Sequence, residues 1–136
     1  MRIRPKQLTI GQQIAAMQHY FPHFTYKRRK HGRTWRGTLQ PTETSPEYLV
    51  EVMYRPPKAP KVRILSPPLQ PNAPHRYPDG SLCLYYPRDW SWSPVKFIAY
   101  TIVPWTALWL AFYELWLQTG EWHGAEAPHG KIKRPE

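Results

Sequence analysis

Eight prolines lie between positions 56 and 78, at Pro56, Pro57, Pro60, Pro67, Pro68, Pro71, Pro74 and Pro78, and they restrict this chain more than any other feature. Each fixes φ and lacks an N–H, so no helix runs through the cluster and at each proline the backbone must extend or turn. The prolines therefore fix the connections between and after the strands, and regular elements lie between or outside them. On the N-terminal side Thr9 caps a helix reaching to about Tyr20, with Ile14, Met17 and Phe21 at helical spacing and Pro22 as the stop. Four segments rich in aromatic and β-branched residues follow, at Phe24–Lys30, Thr34–Leu39, Tyr48–Tyr54 and Lys61–Leu65, and they read as antiparallel strands. In the last, Val62 and Ile64 face one way, Lys61 and Arg63 the other.

The stretch Pro67–Asp89 reads as one irregular loop, and it contains Cys83. Beyond it, Ser93-Pro94 opens a new segment in which Pro104 suits the first position of a helix running to about Gln118 and halted by Gly120. Trp105, Trp109, Phe112 and Trp116 line one face, while Leu108, Ala111 and Leu115 fill much of the rest, so this helix is expected to be covered on most sides. Residues 121–136 read as a polar, irregular tail, leaving a core of about 7–120. No internal repeat is visible. The expected fold class is α+β, a single domain over 1–136 with an N-terminal helix, a four-stranded antiparallel meander, a long loop and a Trp-rich helix.

At 136 residues, 41% hydrophobic, the chain has enough apolar surface for one core. A single cysteine excludes an intrachain disulfide and favours a reducing compartment. The basic start Met1–Lys6 is not followed by an apolar run, so it does not read as a signal peptide. Together these point to the cytoplasm. The uncharged stretch Phe97–Tyr113 touches the lower limit for a membrane span, but Pro104 interrupts it and Thr101 and Thr106 dilute it, so a buried helix is expected and no membrane. The net charge of +10 favours an acidic partner without choosing among nucleic acid, anionic lipid and protein.

The chemistry-bearing stretch is His75-Arg76-Tyr77-Pro78-Asp79-Gly80-Ser81-Leu82-Cys83-Leu84-Tyr85, followed by Trp90, Trp92, Ser93 and Pro94. A lone cysteine is more often a small buried hydrophobe than a nucleophile. Cys83, however, sits among turn residues, where function concentrates. Arg76 and Arg88 are placed to favour its thiolate, and His75 either orients the loop or assists proton transfer, with a turn residue bonded to backbone as the competing role.

At these residues the chain resembles the ubiquitin-conjugating (E2) superfamily. Gly80-Ser81-Leu82-Cys83-Leu84 is similar to the Gly-x-Ile-Cys-Leu stretch around the active cysteine of that family, and Trp92-Ser93-Pro94 to its Trp-x-Pro entering a helix. Trp35-Arg36-Gly37-Thr38-Leu39 in the meander and the Pro-rich turn Arg55-Pro56-Pro57 fall where the family order places them, so the resemblance covers the chain to about Thr119. It departs at His75-Arg76-Tyr77, where the family has His-Pro-Asn, so the asparagine that supports the oxyanion has no counterpart; Asp79 or backbone N–H groups near Cys83 are the alternatives, although an ionised Asp cannot be a donor. The resemblance leads one to expect a minimal form without the two further C-terminal helices of eukaryotic members.

The His75–Tyr85 stretch, with Thr101-Ile102-Val103-Pro104-Trp105 and Thr119-Gly120-Glu121-Trp122, looks closest to bacterial E2-like proteins of CBASS antiphage operons. That resemblance implies a thioester between Cys83 and the C-terminus of a protein partner. The partner would be a CD-NTase cyclic-oligonucleotide synthase, or else a ubiquitin-like protein with an E1-like activator, and the acyl group would pass to an amine on a target. It implies catalytic residues Cys83 and His75 and no cofactor. The chemistry suits cysteine, because a thioester is activated toward amines where a serine ester would be inert. No phosphate-binding Gly-x-x-x-x-Gly-Lys loop is present, so ATP is expected to be spent upstream.

Other readings compete. Cys83, His75, His123 and His129 are zinc-compatible, but they lack the tight spacing of metal pairs, so no metal is expected. The run Lys27-Arg28-Arg29-Lys30-His31, with Arg33, Arg36, Tyr26 and Trp35 nearby, is the argument for a basic nucleic-acid-binding domain. Its position on a strand favours instead a solvated sheet edge or a protein dock. A non-catalytic protein-binding domain is the remaining alternative.

Overall fold

The computed structural model describes residues 6–84 and 92–124. Helix α1 spans Ile10–Tyr20 and is fixed by a capping box: Thr9 Oγ1 accepts from the Gln12 amide at 3.1 Å, and the Thr9 amide donates to Gln12 Oε1 at 2.8 Å. Its inward face carries Met17 and the fully buried Gln13.

Four strands follow, β1 (Thr25–Arg29), β2 (Gly32–Leu39), β3 (Tyr48–Tyr54) and β4 (Lys61–Ser66), forming one antiparallel sheet in the order β1-β2-β3-β4. Strand β2 begins two residues before the expected Thr34. Arg29 pairs with Gly32 across a two-residue turn at Lys30-His31, which carries the ladder to the end of the hairpin. Period-two alternation then divides the faces. Trp35, Val50, Val52, Tyr54 and Val62 enter the core, and Lys27, Arg29, Arg36, Glu51, Lys61 and Arg63 occupy the other face. Gly37 is required by close approach: a Cβ there would run into the ring of Phe24.

A short 3-10 turn, Ile98–Tyr100, leads into helix α2, Ile102–Thr119. This helix starts two residues before Pro104, earlier than expected. The third position tolerates proline because the N–H it lacks is among those without an intrahelical acceptor. Gly120 ends the helix with φ of 78°, and its amide donates to the Trp116 carbonyl at 2.8 Å.

The buried stripe of α2 is Ile102, Val103, Thr106, Trp109, Leu110 and Tyr113, whose apolar members join the sheet residues in one cluster. Trp105, Phe112 and Trp116 are not fully covered, and Leu108 and Leu117 are exposed, which corrects the expectation of a helix enclosed on most sides. The segment Ile98–Thr119 has the length and composition to cross a membrane, yet this stripe is buried within the fold.

Gln13 joins the two helical regions. Its side chain donates through Nε2 to the Lys96 carbonyl at 3.0 Å and accepts at Oε1 from the Ile98 amide at 2.9 Å. A buried amide satisfied at both ends thus positions the chain just before α2. Nearer the far end of that helix, Ser45 Oγ and Tyr48 hydroxyl both donate to the Glu114 carboxylate, at 2.6 and 2.7 Å. Burial and the adjacent carboxylate push the Tyr48 phenol well above its ordinary range.

Candidate active site

The stretch expected to be one irregular loop contains a built hairpin. Pro78-Asp79-Gly80 is a turn signature, and the Gly80 amide donates to the Tyr77 carbonyl at 2.9 Å, with Gly80 at φ of 87°. The Tyr77 amide donates to the Ser81 carbonyl at 2.9 Å, Arg76 bridges Leu82, and the Cys83 amide donates to the His75 carbonyl at 2.8 Å. The hairpin is attached to β4 by the Leu82 amide, which donates to the Val62 carbonyl at 2.8 Å. Asp79 stiffens the turn, accepting from the Ser81 amide at 2.9 Å and from Ser81 Oγ at 2.6 Å. Lys61 lies 3.0 Å and Arg63 3.4 Å from its other oxygen. The Ser81 bonds first, then Lys61, hold this carboxyl well below the usual carboxylate range.

Cys83 lies on the inner strand of the hairpin and is 2% exposed, flanked by the buried Leu82 and Leu84. Burial pushes its thiol above the ordinary value, and a hydrogen bond from the Tyr77 side chain opposes that shift. The expectation that arginines favour the thiolate is corrected on this point. The group that counters burial is the Tyr77 hydroxyl and not the Arg76 guanidinium, and Arg88 lies outside the described residues.

His75 adopts φ of 58°. Its carbonyl receives both the Cys83 amide and Trp109 Nε1, the latter at 3.2 Å, so its main chain joins the hairpin to α2. Its ring packs against the Trp122 ring at a centroid distance of 4.8 Å. Trp122 also meets Trp109 at 5.4 Å and Phe112 at 6.0 Å, so the first residues of the expected polar tail fold back onto α2. The apolar area of an indole outweighs the polarity of its neighbours.

The hairpin amides suggested as oxyanion donors are engaged: Ser81 to Asp79, Leu82 to Val62, Cys83 to His75. Asp79 is ionised and accepts only. Trp92 is fixed through Nε1, which donates to Thr101 Oγ1 at 3.0 Å, and its ring meets Tyr54 edge-on at 5.4 Å. A groove of about 490 Å³ is lined by hairpin residues, among them Tyr77, Asp79 and Leu82, together with Ala59, Pro60 and Lys61.

Among the described residues no group of three or more His, Cys, Asp or Glu side chains is arranged to hold a metal. His123 Nε2 lies 3.2 Å from Thr119 Oγ1, and His129 is outside the described residues. The basic run falls on β1, an edge of the sheet, with Lys27, Arg28 and Arg29 exposed.

A family model described as Type II CBASS E2 protein matches residues 13–130. The chain belongs to this family. Its members are E2-like proteins of an antiphage defence system, and the matched span takes in both the Cys83 hairpin and Trp92-Ser93-Pro94. No curated protein matches the chain. Tyr77, which pairs with Ser81 across the hairpin, and Trp122, which packs on the His75 ring, are residues of the site that residue type alone does not mark. The Pro-Asp-Gly turn is the available signal for Tyr77, because it sets the register that pairs His75 with Cys83 and Tyr77 with Ser81.

Proposed function

We propose that this protein is a conjugating enzyme in which Cys83 carries an acyl group as a thioester. The observation carrying the reading is the location of Cys83: on a hairpin tied to His75, inside the span matched by the Type II CBASS E2 model. The Cys83 thiolate attacks a C-terminal carbonyl already activated upstream, a C–S bond forms, and the activating group leaves. An amine of the target then attacks the same carbonyl carbon, the C–S bond breaks, an amide remains, and the thiolate returns. The amine's proton passes to solvent or a nearby base.

The acyl donor is the C-terminus of a CD-NTase cyclic-oligonucleotide synthase, with a ubiquitin-like protein and its activator as the alternative donor. The domain is a minimal E2 (UBC)-like fold working in the bacterial cytoplasm without a cofactor. His75 contributes by holding the hairpin through its main chain.

Co-expression with a CD-NTase synthase as the proposed donor, followed by an amine chase on non-reducing gels, tests this reading. The wild type should form a thiol-sensitive adduct that chases into a thiol-stable conjugate. If Cys83→Ala still yields the conjugate, the transferase reading fails.

A further inference from the structure

We infer that the outer face of the sheet binds the sugar–phosphate backbone of a nucleic acid, an activity separate from the chemistry at Cys83. The register lays two adjacent rows of side chains across all four strands on this face: Lys27, Thr34, Met53 and Lys61 in one, Thr25, Arg36, Glu51 and Arg63 in the next. The helices pack on the opposite face, where Met17 of α1 and the buried stripe of α2 join the core cluster. Guarding an edge strand against pairing accounts for Lys27 and Arg29 on β1, but not for Arg36 on the interior strand β2.

These cations line a continuous track. Three grooves, of about 420, 390 and 170 Å³, share lining residues: Thr34 and Arg36 line the first two, Met53 and Arg55 the second and third. Ala59 and Lys61 line both the third and the groove beside Tyr77, so the track ends at the Cys83 hairpin. Among the described residues its carboxylates are Glu51 and Asp79, and each is already paired, Glu51 with Arg36 at 2.7 Å and Asp79 with Lys61 and Arg63. Lys27, Arg55 and Lys58, which line the same grooves, are in no ion pair among the described residues. The track therefore carries a surplus of positive charge along its length.

A long, uniformly charged polyanion fits this face better than a protein does. Protein interfaces centre on aromatic and apolar anchors and keep charge to the rim, whereas nucleic-acid interfaces are more polar and far more positive. Here cations occupy the middle of the face. Most of the exposed large apolar side chains, Tyr20, Tyr100, Leu108 and Leu117 among them, lie instead on the helices and the 3-10 turn. Tyr26 and Trp35, the aromatics interleaved with the basic run, turn toward the core with ring centroids 5.3 Å apart, so bases have no platform on which to stack. Contact is thus to the backbone and indifferent to base sequence. The row from Lys27 to Lys61 spans three strand spacings, about 14 Å. That is enough to meet several phosphates of a duplex, which carries one charge per about 1.7 Å of its axis.

Fluorescence anisotropy of a labelled, mixed-sequence duplex DNA titrated with the full-length protein at several KCl concentrations tests this. The logarithm of the association constant should fall linearly with the logarithm of the salt concentration. Lys27→Gln and Arg55→Gln, both at exposed positions on the track, should each weaken binding severalfold and lower that slope by about one. Arg28→Gln removes the same charge from the same strand but from the opposite face, in the row that Arg28 shares with Arg33 and the buried Tyr54, and should leave the slope unchanged.

A wild type that fails to bind the duplex at low salt overturns the inference. So does an Arg28→Gln variant that lowers the slope as much as Lys27→Gln, because net charge and not this face would then be responsible. Poly-glutamate of equal total charge that displaces the duplex as readily as unlabelled duplex does would overturn it in favour of an acidic protein. The measurement needs no acyl donor, so its failure leaves the transferase reading where it stands.

Discussion

The Cys83 amide donates to the His75 carbonyl at 2.8 Å, joining main chain to main chain the two residues that the sequence singles out for chemistry. Their relation is set by the register of a hairpin, and that register is set by a three-residue turn. The site therefore inherits its geometry from Pro78-Asp79-Gly80 as much as from the nucleophile itself.

Gly80 holds φ of 87°, a conformation that any side chain strains, although a Cβ there would meet only the Arg76 side chain, at an ordinary contact distance of 3.8 Å. Gly80→Ala should therefore cost about 1–2 kcal/mol in urea unfolding, all of it backbone strain. A loss below a few tenths of that would mean that the turn relaxes at no cost.

Gln13 satisfies two backbone groups that have no water to replace it, being 0% exposed. Gln13→Leu keeps the volume and orphans both, the Lys96 carbonyl and the Ile98 amide. The expected loss is about 2 kcal/mol or more by chemical denaturation, with the region entering α2 opening first in hydrogen exchange.

Gly37 lies against the Phe24 ring, and a methyl there would collide with it. Gly37→Ala should destabilise by about 1–3 kcal/mol, and Phe24→Ala in the same chain should recover part of the clash in a double-mutant cycle. Additive losses would contradict the contact.

The Asp79 carboxyl is held below the usual range by Ser81 and Lys61, so its contribution to stability is present above the unfolded carboxylate value and fades only as pH falls through the lower folded one. The melting temperature of the wild type should exceed that of Asp79→Asn by a constant margin near neutrality. The margin should shrink below about pH 4, where carboxylates ordinarily titrate. A margin that widened in acid would reverse the assignment.

Elements with a strong local signal are legible in the amino-acid sequence alone. Thr9 and Gln12 mark the start of α1 because a capping box is a local motif, and Tyr48–Tyr54 reads as a strand end to end because its pattern is unbroken. The sheet order follows from short connections. What the sequence does not carry is non-local. Pro104 fits any of the first positions of a helix, so it cannot mark the start of α2, which lies two residues earlier at Ile102. Composition overstates the covering of α2 because it cannot tell which of the many apolar side chains meet the sheet, and Leu108 and Leu117 do not.

At the site the cysteine and histidine are visible as residue types, but the main-chain bond that joins them is not. That pairing arises only when the Pro-Asp-Gly turn closes the hairpin. Trp122 sits in a polar stretch whose composition conceals the contacts that a single indole makes.

The central claim is that Cys83 bears the acyl group, and intact-mass measurement of the protein purified from cells that also express the synthase tests it most directly. The predicted result is a species heavier by the partner's mass less one water, lost on adding thiol, converted to a thiol-stable ester in Cys83→Ser and absent in Cys83→Ala. An adduct of the same mass on Cys83→Ala would contradict it.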